Sequence, residues 1–202
     1  MEINKEKIEL LQVLGSIAPL SAAYQQRLSR QLVTETYPAR HLLLQPGEIC
    51  RNIHFICSGL VRIYTMDENG REKTIIFMGP GELAVDVSSF YEQSVASEYL
   101  ETMQPTTIQS LTWSQLNSFY ADFSEGNYIG RIITQKYLVM AVARNMELLT
   151  SSIQDRYLSL LQRYPAIEQQ VTQGHIASYL DISRETLSRL KSDLLKMKTG
   201  SR

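Results

Sequence analysis

Hydrophobic positions change their period twice along this chain of 202 residues. Over about residues 5–36, Ile8, Leu11, Leu14, Leu28 and Leu32 recur at mixed helical spacing around a break at "GSIAPLS", which predicts a pair of cover helices. From Arg40 to Trp113 the pattern shortens to apolar runs separated by turn dipeptides. "HLLL" precedes Pro46-Gly47, "IHFIC" precedes Ser58-Gly59, "LVRIYT" leads towards Asn69-Gly70, and "TIIFM" towards Pro80-Gly81. Asn-Gly between alternating strands predicts a hairpin with a type I′ turn, whose two central residues both take positive φ. Strands and turns at this spacing imply a compact antiparallel barrel or jelly roll.

After "SFYADFSEGN" the period becomes helical for more than twenty residues. Tyr128, Ile132, Gln135, Val139, Val142, Met146 and Leu149 follow alternating steps of four and three, the seam of a coiled coil with one polar residue inside it. This stripe predicts a dimerisation helix, the alternative being a long helix that only lies on the barrel. A second set, Ile129, Ile133, Leu138 and Ala141, is expected to face the barrel while the first meets another subunit. A hinge is predicted at Ser151-Ser152, where Ser152 and Asp155 have capping-box spacing, and Pro165 closes the helix that follows.

Beyond it, "VTQGHIASYLDISRETLSRLKSDLL" reads as two short helices around a tight turn. Thr172 is placed to cap a helix running to Tyr179, with Ile176, Ala177 and Leu180 inward. Ser183 is placed to cap a second helix, with Leu187, Leu190 and Leu194 inward. That is helix-turn-helix spacing. On the second helix Arg184, Ser188 and Lys191 project near one another, and Glu185 and Arg189 stand at i and i+4 on the adjoining face. Arginine can grip a guanine's O6 and N7 with two hydrogen bonds, and glutamate can accept from a cytosine amino group. A solvated face with Glu185 and Arg189 merely paired is the plain alternative.

Charge sharpens this picture. The net charge is −1, so the molecule as a whole does not attract polyanions indiscriminately. From residue 183 onward, however, Arg184, Arg189, Lys191, Lys196, Lys198 and Arg202 outnumber Glu185 and Asp193, pointing to an acidic partner for this part. Cys50 and Cys57 have no common metal spacing and are expected to be core thiols; His41, His54 and His175 are scattered, which argues against a metal site and a cupin-like metalloenzyme. The N-terminus lacks a secretory pattern and no apolar run reaches membrane-spanning length, so a cytoplasmic protein without membrane partners is expected.

In the order of its parts and in "QPGE", "FICSGLVRIY", "NGREKTI", "GPGEL" and "IASYLDISRETLSRL", the chain resembles the Crp/Fnr family of bacterial transcription regulators over nearly its whole length. The resemblance implies an α+β architecture: a jelly-roll domain with cover helices over 1–124, a dimerisation helix over 125–151 and a helix-turn-helix domain over 152–202. It implies a homodimer without catalytic activity that binds double-stranded DNA at a two-fold symmetric operator, with RNA polymerase as a further candidate partner. Thr172, Ser183, Arg184, Glu185, Ser188, Arg189 and Lys191 form the candidate DNA-binding set; Arg184, Glu185 and Arg189 fall on the base-contacting positions of the cyclic-AMP receptor branch. The competing function is a jelly-roll sensor or interaction module that does not read DNA.

Two departures stand out. Only "AIEQQV" separates Pro165 from Thr172, and the chain stops at "KMKTGSR", so the family's β-hairpin wing is expected to be reduced or absent. In the segment aligned with the family's phosphate-binding cassette, the Gly-Glu-Leu triplet is replaced by Val85, Asp86 and Val87, and the Arg-Ser pair by Ala96 and Ser97. The adenine-contacting hydroxyls are replaced by Ala141 and Val142. Loss of the cation and of the close-approach glycine removes chemistry that anion binding needs. Val85, Asp86, Ala96, Ser97, Ala141 and Val142 therefore mark a degenerate effector pocket; no cyclic AMP, iron–sulfur cluster or haem is expected, and the effector is open.

Overall fold

The computed structural model describes residues 9–199. Two cover helices, α1 (Leu10–Ile17) and α2 (Ala22–Gln31), precede β1 (Val33–Tyr37), β2 (Leu42–Leu44), β3 (Asn52–Ser58), β4 (Val61–Met66), β5 (Glu72–Met78) and β6 (Leu83–Ala84). Then come α3 (Val87–Glu92), β7 (Tyr99–Thr102), β8 (Thr106–Thr112), α4 (Trp113–Asp122) and α5 (Ser124–Thr150). The chain finishes with α6 (Ile153–Arg163), α7 (Ile167–Gln170), α8 (Gln173–Tyr179) and α9 (Arg184–Thr199). The strands form two four-stranded antiparallel sheets, β1-β8-β3-β6 and β2-β7-β4-β5, which face each other as a jelly roll.

Strand β3 shows why "IHFIC" reads as a continuous apolar run. Successive side chains point to opposite faces, and both faces are covered. Ile56 packs inside the roll with Val61, Leu100 and Ile108. Phe55 and Cys57 point outward, beneath Leu14, Tyr24, Leu28, Phe119 and Ile129 of the surrounding helices. Both cysteines are buried in the core and form no disulfide, as the spacing implied.

Three local expectations are corrected. The second cover helix ends at Gln31, and residues 33–37 form a strand paired with β8, because "VTETY" alternates and is rich in β-branched residues. Ile8 and Arg202 lie outside the described residues. The Asn69-Gly70 turn is not type I′: of the pair only Gly70 has positive φ, at 71°. Its N–H donates to Asp67 O at 2.9 Å, while Asp67 Oδ1 accepts from Asn69 N and Arg71 N, each at 2.9 Å. The carboxylate thereby selects a longer loop ending in a left-handed glycine. Finally, α3 and α4 are helices inside and directly after the strand region. Each starts at a side-chain cap, Asp86 for α3 and a Thr112–Gln115 capping box for α4.

Helix α5 carries two heptad-like stripes offset by two residues, hence about 200° apart at roughly 100° per residue. Gly126, Gly130, Ile133, Tyr137, Met140 and Arg144 are buried or half-buried against the body. The sequence-predicted seam stands on the opposite side, exposed except for the half-buried Ile132: Val139 is 68% exposed, Val142 55% and Leu149 81%. Of the set expected to face the roll, Ile129 and Ile133 do so; Leu138 and Ala141 are exposed, because their angle on the helix lies between the two stripes.

Ser151 breaks the helix in an extended conformation, and Ser152 caps α6 by accepting from Asp155 N at 3.1 Å. The box is not closed in the usual way, since the Ser152 hydroxyl donates to the Asp155 carboxylate at 2.7 Å. No strand follows β8 among the described residues. "AIEQQV" instead yields the single turn α7, whose Ile167 is completely buried.

Candidate nucleic-acid interface and effector cradle

The C-terminal helix pair is built from locally encoded stops and starts. Thr172 Oγ1 accepts from His175 N at 3.2 Å, opening α8. That helix ends with Asp181 N donating to Ser178 O and Ile182 N to Ala177 O, a Schellman closure whose left-handed residue is Asp181, at φ 54°. Aspartate tolerates this region better than most side chains. Ser183 then opens α9 by accepting from Thr186 N at 3.1 Å. Ile176, Leu180 and Leu187 are completely buried between the two helices.

The opposite face of α9 is polar and open: Ser183, Arg184, Glu185, Ser188 and Arg189 are exposed, as is Thr172 at the start of α8. The Arg184 guanidinium lies over Gly174, where any Cβ would collide with it. Hydrogen bonds to its own backbone N–H and to Ser183, with the charges of Arg184 and Arg189, hold the Glu185 carboxyl below its usual range. It is thus maintained as an acceptor. Lys191 differs from its neighbours. It is half-buried in an ion pair with Glu168 and donates to Gln173 Oε1 at 3.3 Å, tying α9 to α7 and α8.

This helix pair does not hang freely from the hinge. Leu60 and Phe77 of the roll share one core with Tyr157, Leu160, Tyr179 and Leu180. On the open edge of β5, Ser178 Oγ accepts from Thr74 N at 2.8 Å and donates to Glu72 O at 2.7 Å, so a side chain of α8 completes the sheet edge. Lys73 pairs with Asp181 at 2.5 Å and Arg163 with Glu82 at 2.7 Å. Arg144 of α5 stacks 3.8 Å from the centre of the Tyr179 ring and donates to Tyr179 O at 2.6 Å. Sequence reasoning missed these contacts, since a serine on a short helix carries no local sign of its distant partner.

Behind these contacts, Arg62 is fully buried. It donates to Thr74 Oγ1 at 2.8 Å and pairs with Glu72 at 2.6 Å, holding β4 to β5. Burial pushes the neighbouring His175 imidazole down to about 4, with the Arg62 charge acting in the same direction. His175 is therefore neutral at pH 7.

The structure brings Val85, Asp86, Ala96 and Ser97 together at the end of the roll, and Asp86 organises them. Its Oδ1 accepts from Ser89 N at 2.9 Å, and its Oδ2 from Ser97 N at 3.2 Å and Glu98 N at 3.3 Å. The carboxylate thus occupies backbone donors that an anionic ligand would otherwise use. Ala96 is buried and offers no cation, while Val85 packs against the roll's apolar core. The residues present do not fit a cyclic phosphate. Ala141 and Val85 both line a shared cavity, and Val142 points away on the exposed stripe. The spacing of Asp86 and Ser89 is that of a helix cap, a signal the sequence did contain.

Burial, followed by the nearby Asp86 charge, raises the Glu98 carboxyl from its ordinary 4.5 to about 7. A carboxyl raised on folding stabilises the native state fully below pH 4.5 and loses that contribution as pH rises through about 7. Denaturant melts across this window are expected to show stability falling with pH in the wild type and a flatter profile for Glu98→Gln. Parallel profiles would contradict the assignment.

Among the described residues no cluster of three or more His, Cys, Asp or Glu side chains is arranged to hold a metal, and no helix is long and apolar enough to cross a membrane.

A jelly roll with a short helix after β6, a long helix with an exposed apolar stripe and a docked helix-turn-helix make up a two-part architecture. Residues 34–123 match the cyclic nucleotide-binding domain family. The chain is similar to a CRP-like cAMP-activated global transcriptional regulator of Mycobacterium tuberculosis, 24% identical over 185 residues, covering 82% of this chain and 79% of the relative. Its fold matches the c-di-GMP responsive global regulator CLP of Xanthomonas campestris, with a TM-score of 0.68 and 18% identity over 88% of this chain and 93% of that one. It also matches a Crp/Fnr-family transcriptional regulator of Thermus thermophilus, with a TM-score of 0.65 and 18% identity over 82% and 87% of the two chains. Over residues 34–123 the chain thus carries a cyclic nucleotide-binding-type domain, and in sequence and fold it is similar to CRP-like and Crp/Fnr regulators.

Proposed function

We propose that this protein is a homodimeric, non-enzymatic regulator that reads a two-fold symmetric DNA operator in the cytoplasm and does so without cyclic AMP. The observation that carries the reading is the exposed face of α9, on which Arg184, Glu185, Ser188 and Arg189 stand at the start of a helix whose other side buries Leu187. A helix presenting its first turns in this way suits major-groove entry. The bare stripe on α5 supports pairing of two such chains.

Selection of bound fragments from random DNA by the purified protein tests this directly. The expected product is a pair of inverted half-sites about one duplex turn, ~34 Å, apart, with affinity that falls steeply as salt rises because phosphate contacts release counterions. Recovery of no preferred sequence would favour a sensor or protein-interaction module instead.

Independence from cyclic AMP follows from Asp86, which engages the backbone N–H groups of Ser97 and Glu98, and from the missing cation at Ala96. Calorimetry with millimolar cyclic AMP is expected to give no saturable heat, and operator affinity is expected to be the same with and without the nucleotide. Saturable heat, or an affinity gain of roughly tenfold, would overturn this part of the reading.

A further inference from the structure

The degenerate cradle is not the only space in the roll's surroundings. A cavity of about 340 Å³, reached by two of the cradle residues, lies between α5 and the outer face of the β1-β8-β3-β6 sheet, within the ~300–1,000 Å³ typical of small-molecule sites. Its floor is apolar and buried, formed by residues such as Leu14, Leu111, Phe119 and Ile129. Of the cradle residues only Val85 and Ala141 reach it; Asp86, Ala96, Ser97 and Val142 do not line it.

Shape and polarity narrow the occupant. The lining follows α5 from Gly126 to Ala141, about 22 Å of axis at ~1.5 Å per residue, so a modest volume is drawn out along the helix. Gly130 helps to make this space: any Cβ there would collide with the Tyr120 ring that lies across the helix. The lip formed by Val87, Tyr91, Tyr120 and Thr134 also belongs to an adjoining open cleft, which adds Asn127, Arg131 and Gln135. The Arg131 guanidinium lies 5.1 Å from the centre of the Tyr128 ring and donates weakly to Gln135 Oε1 at 3.5 Å. The elongated apolar channel therefore opens, part-way along α5, beside two phenols and a cation.

We propose that this cavity binds an amphipathic acyl ligand, its hydrocarbon chain lying along α5 and its carboxylate held at the mouth by Arg131. A chain-shaped ligand exchanges contact with water for contact with the apolar floor, and an anionic head meets the positive charge where the channel opens. Leu138 lines the cavity beside Val139 and Val142 of the exposed stripe. A regulatory effect through pairing rests on the proposed function above; ligand binding itself does not.

The test uses the full chain without DNA, so its failure is distinct from failure of operator binding. Dodecanoate is titrated below its micelle-forming concentration, with dodecan-1-ol for comparison. Saturable binding of dodecanoate at one per chain is expected. Thr134→Phe at the lip and Ala141→Phe farther along the lining, both at exposed positions, are expected to weaken it roughly tenfold or more while circular dichroism stays unchanged. Arg131→Ala is expected to weaken dodecanoate roughly tenfold and to leave dodecan-1-ol unaffected. No saturable binding to the wild type, or undiminished binding to both filled variants, would overturn the site. Equal affinity of the wild type for acid and alcohol would overturn the role of Arg131.

Discussion

Lysine at both Val139 and Val142 is expected to convert the protein to a monomer and to remove specific operator binding. These side chains are 68% and 55% exposed on a stripe that also carries Met146 and Leu149, and the opposite stripe already anchors α5 to its own chain. A continuous apolar helix face of this kind loses contact with water only if another surface covers it. In a two-fold pairing the substituted positions would face their copies, so lysines would set like charges along the seam. A monomer carries one recognition helix and forfeits the second half-site, which makes the loss of specific binding large compared with that of any single base contact. The folded chain is expected to survive, because neither valine packs on the roll. Light scattering checks the result: a monomeric wild type at micromolar concentration would defeat the dimer, whatever the variant does.

The next largest effect is expected at the face of α9. Arg184→Ala or Arg189→Ala should weaken operator binding by about 1–3 kcal/mol per half-site and relax the preference at one base pair, the signature of a lost bidentate contact. Glu185→Ala should relax a neighbouring position, since its carboxyl is kept in the accepting form by its hydrogen bonds and by the flanking arginines. Lys191→Ala separates two roles. The sequence suggested a phosphate contact, which would weaken all sequences alike and make the salt dependence shallower. Its ion pair with Glu168 adds a second role, closing α9 onto α7, so this variant should also lower the melting temperature. Arginine variants with unchanged preferences in the random-DNA selection would reject the readout model.

Much of the architecture was legible because it is encoded within a turn or two of chain. Thr172 and Ser183 cap α8 and α9, Gly70 supplies a left-handed turn residue, and Ile176, Leu180 and Leu187 mark the buried side of the helix pair. Residues 33–37 were misread where the apolar spacing was sparse and the β-branched pattern of "VTETY" spoke for a strand. The α5 seam was legible as a heptad, but a heptad says only which residues share a face.

What the sequence determined by itself was the order of the larger parts, the two caps and turn of the helix pair, and the absence of a cation and a glycine from the cassette. Tertiary structure decided which stripe of α5 faces the body. It also set Asp86 on the N–H groups of residues eleven and twelve positions away, and Ser178 on the edge of β5 at a separation of 104 residues. The division has a physical cause. Caps and amphipathic periods are satisfied by neighbours in the chain, whereas a distant donor or a cavity wall exists only once separate surfaces have packed and fixed its distance.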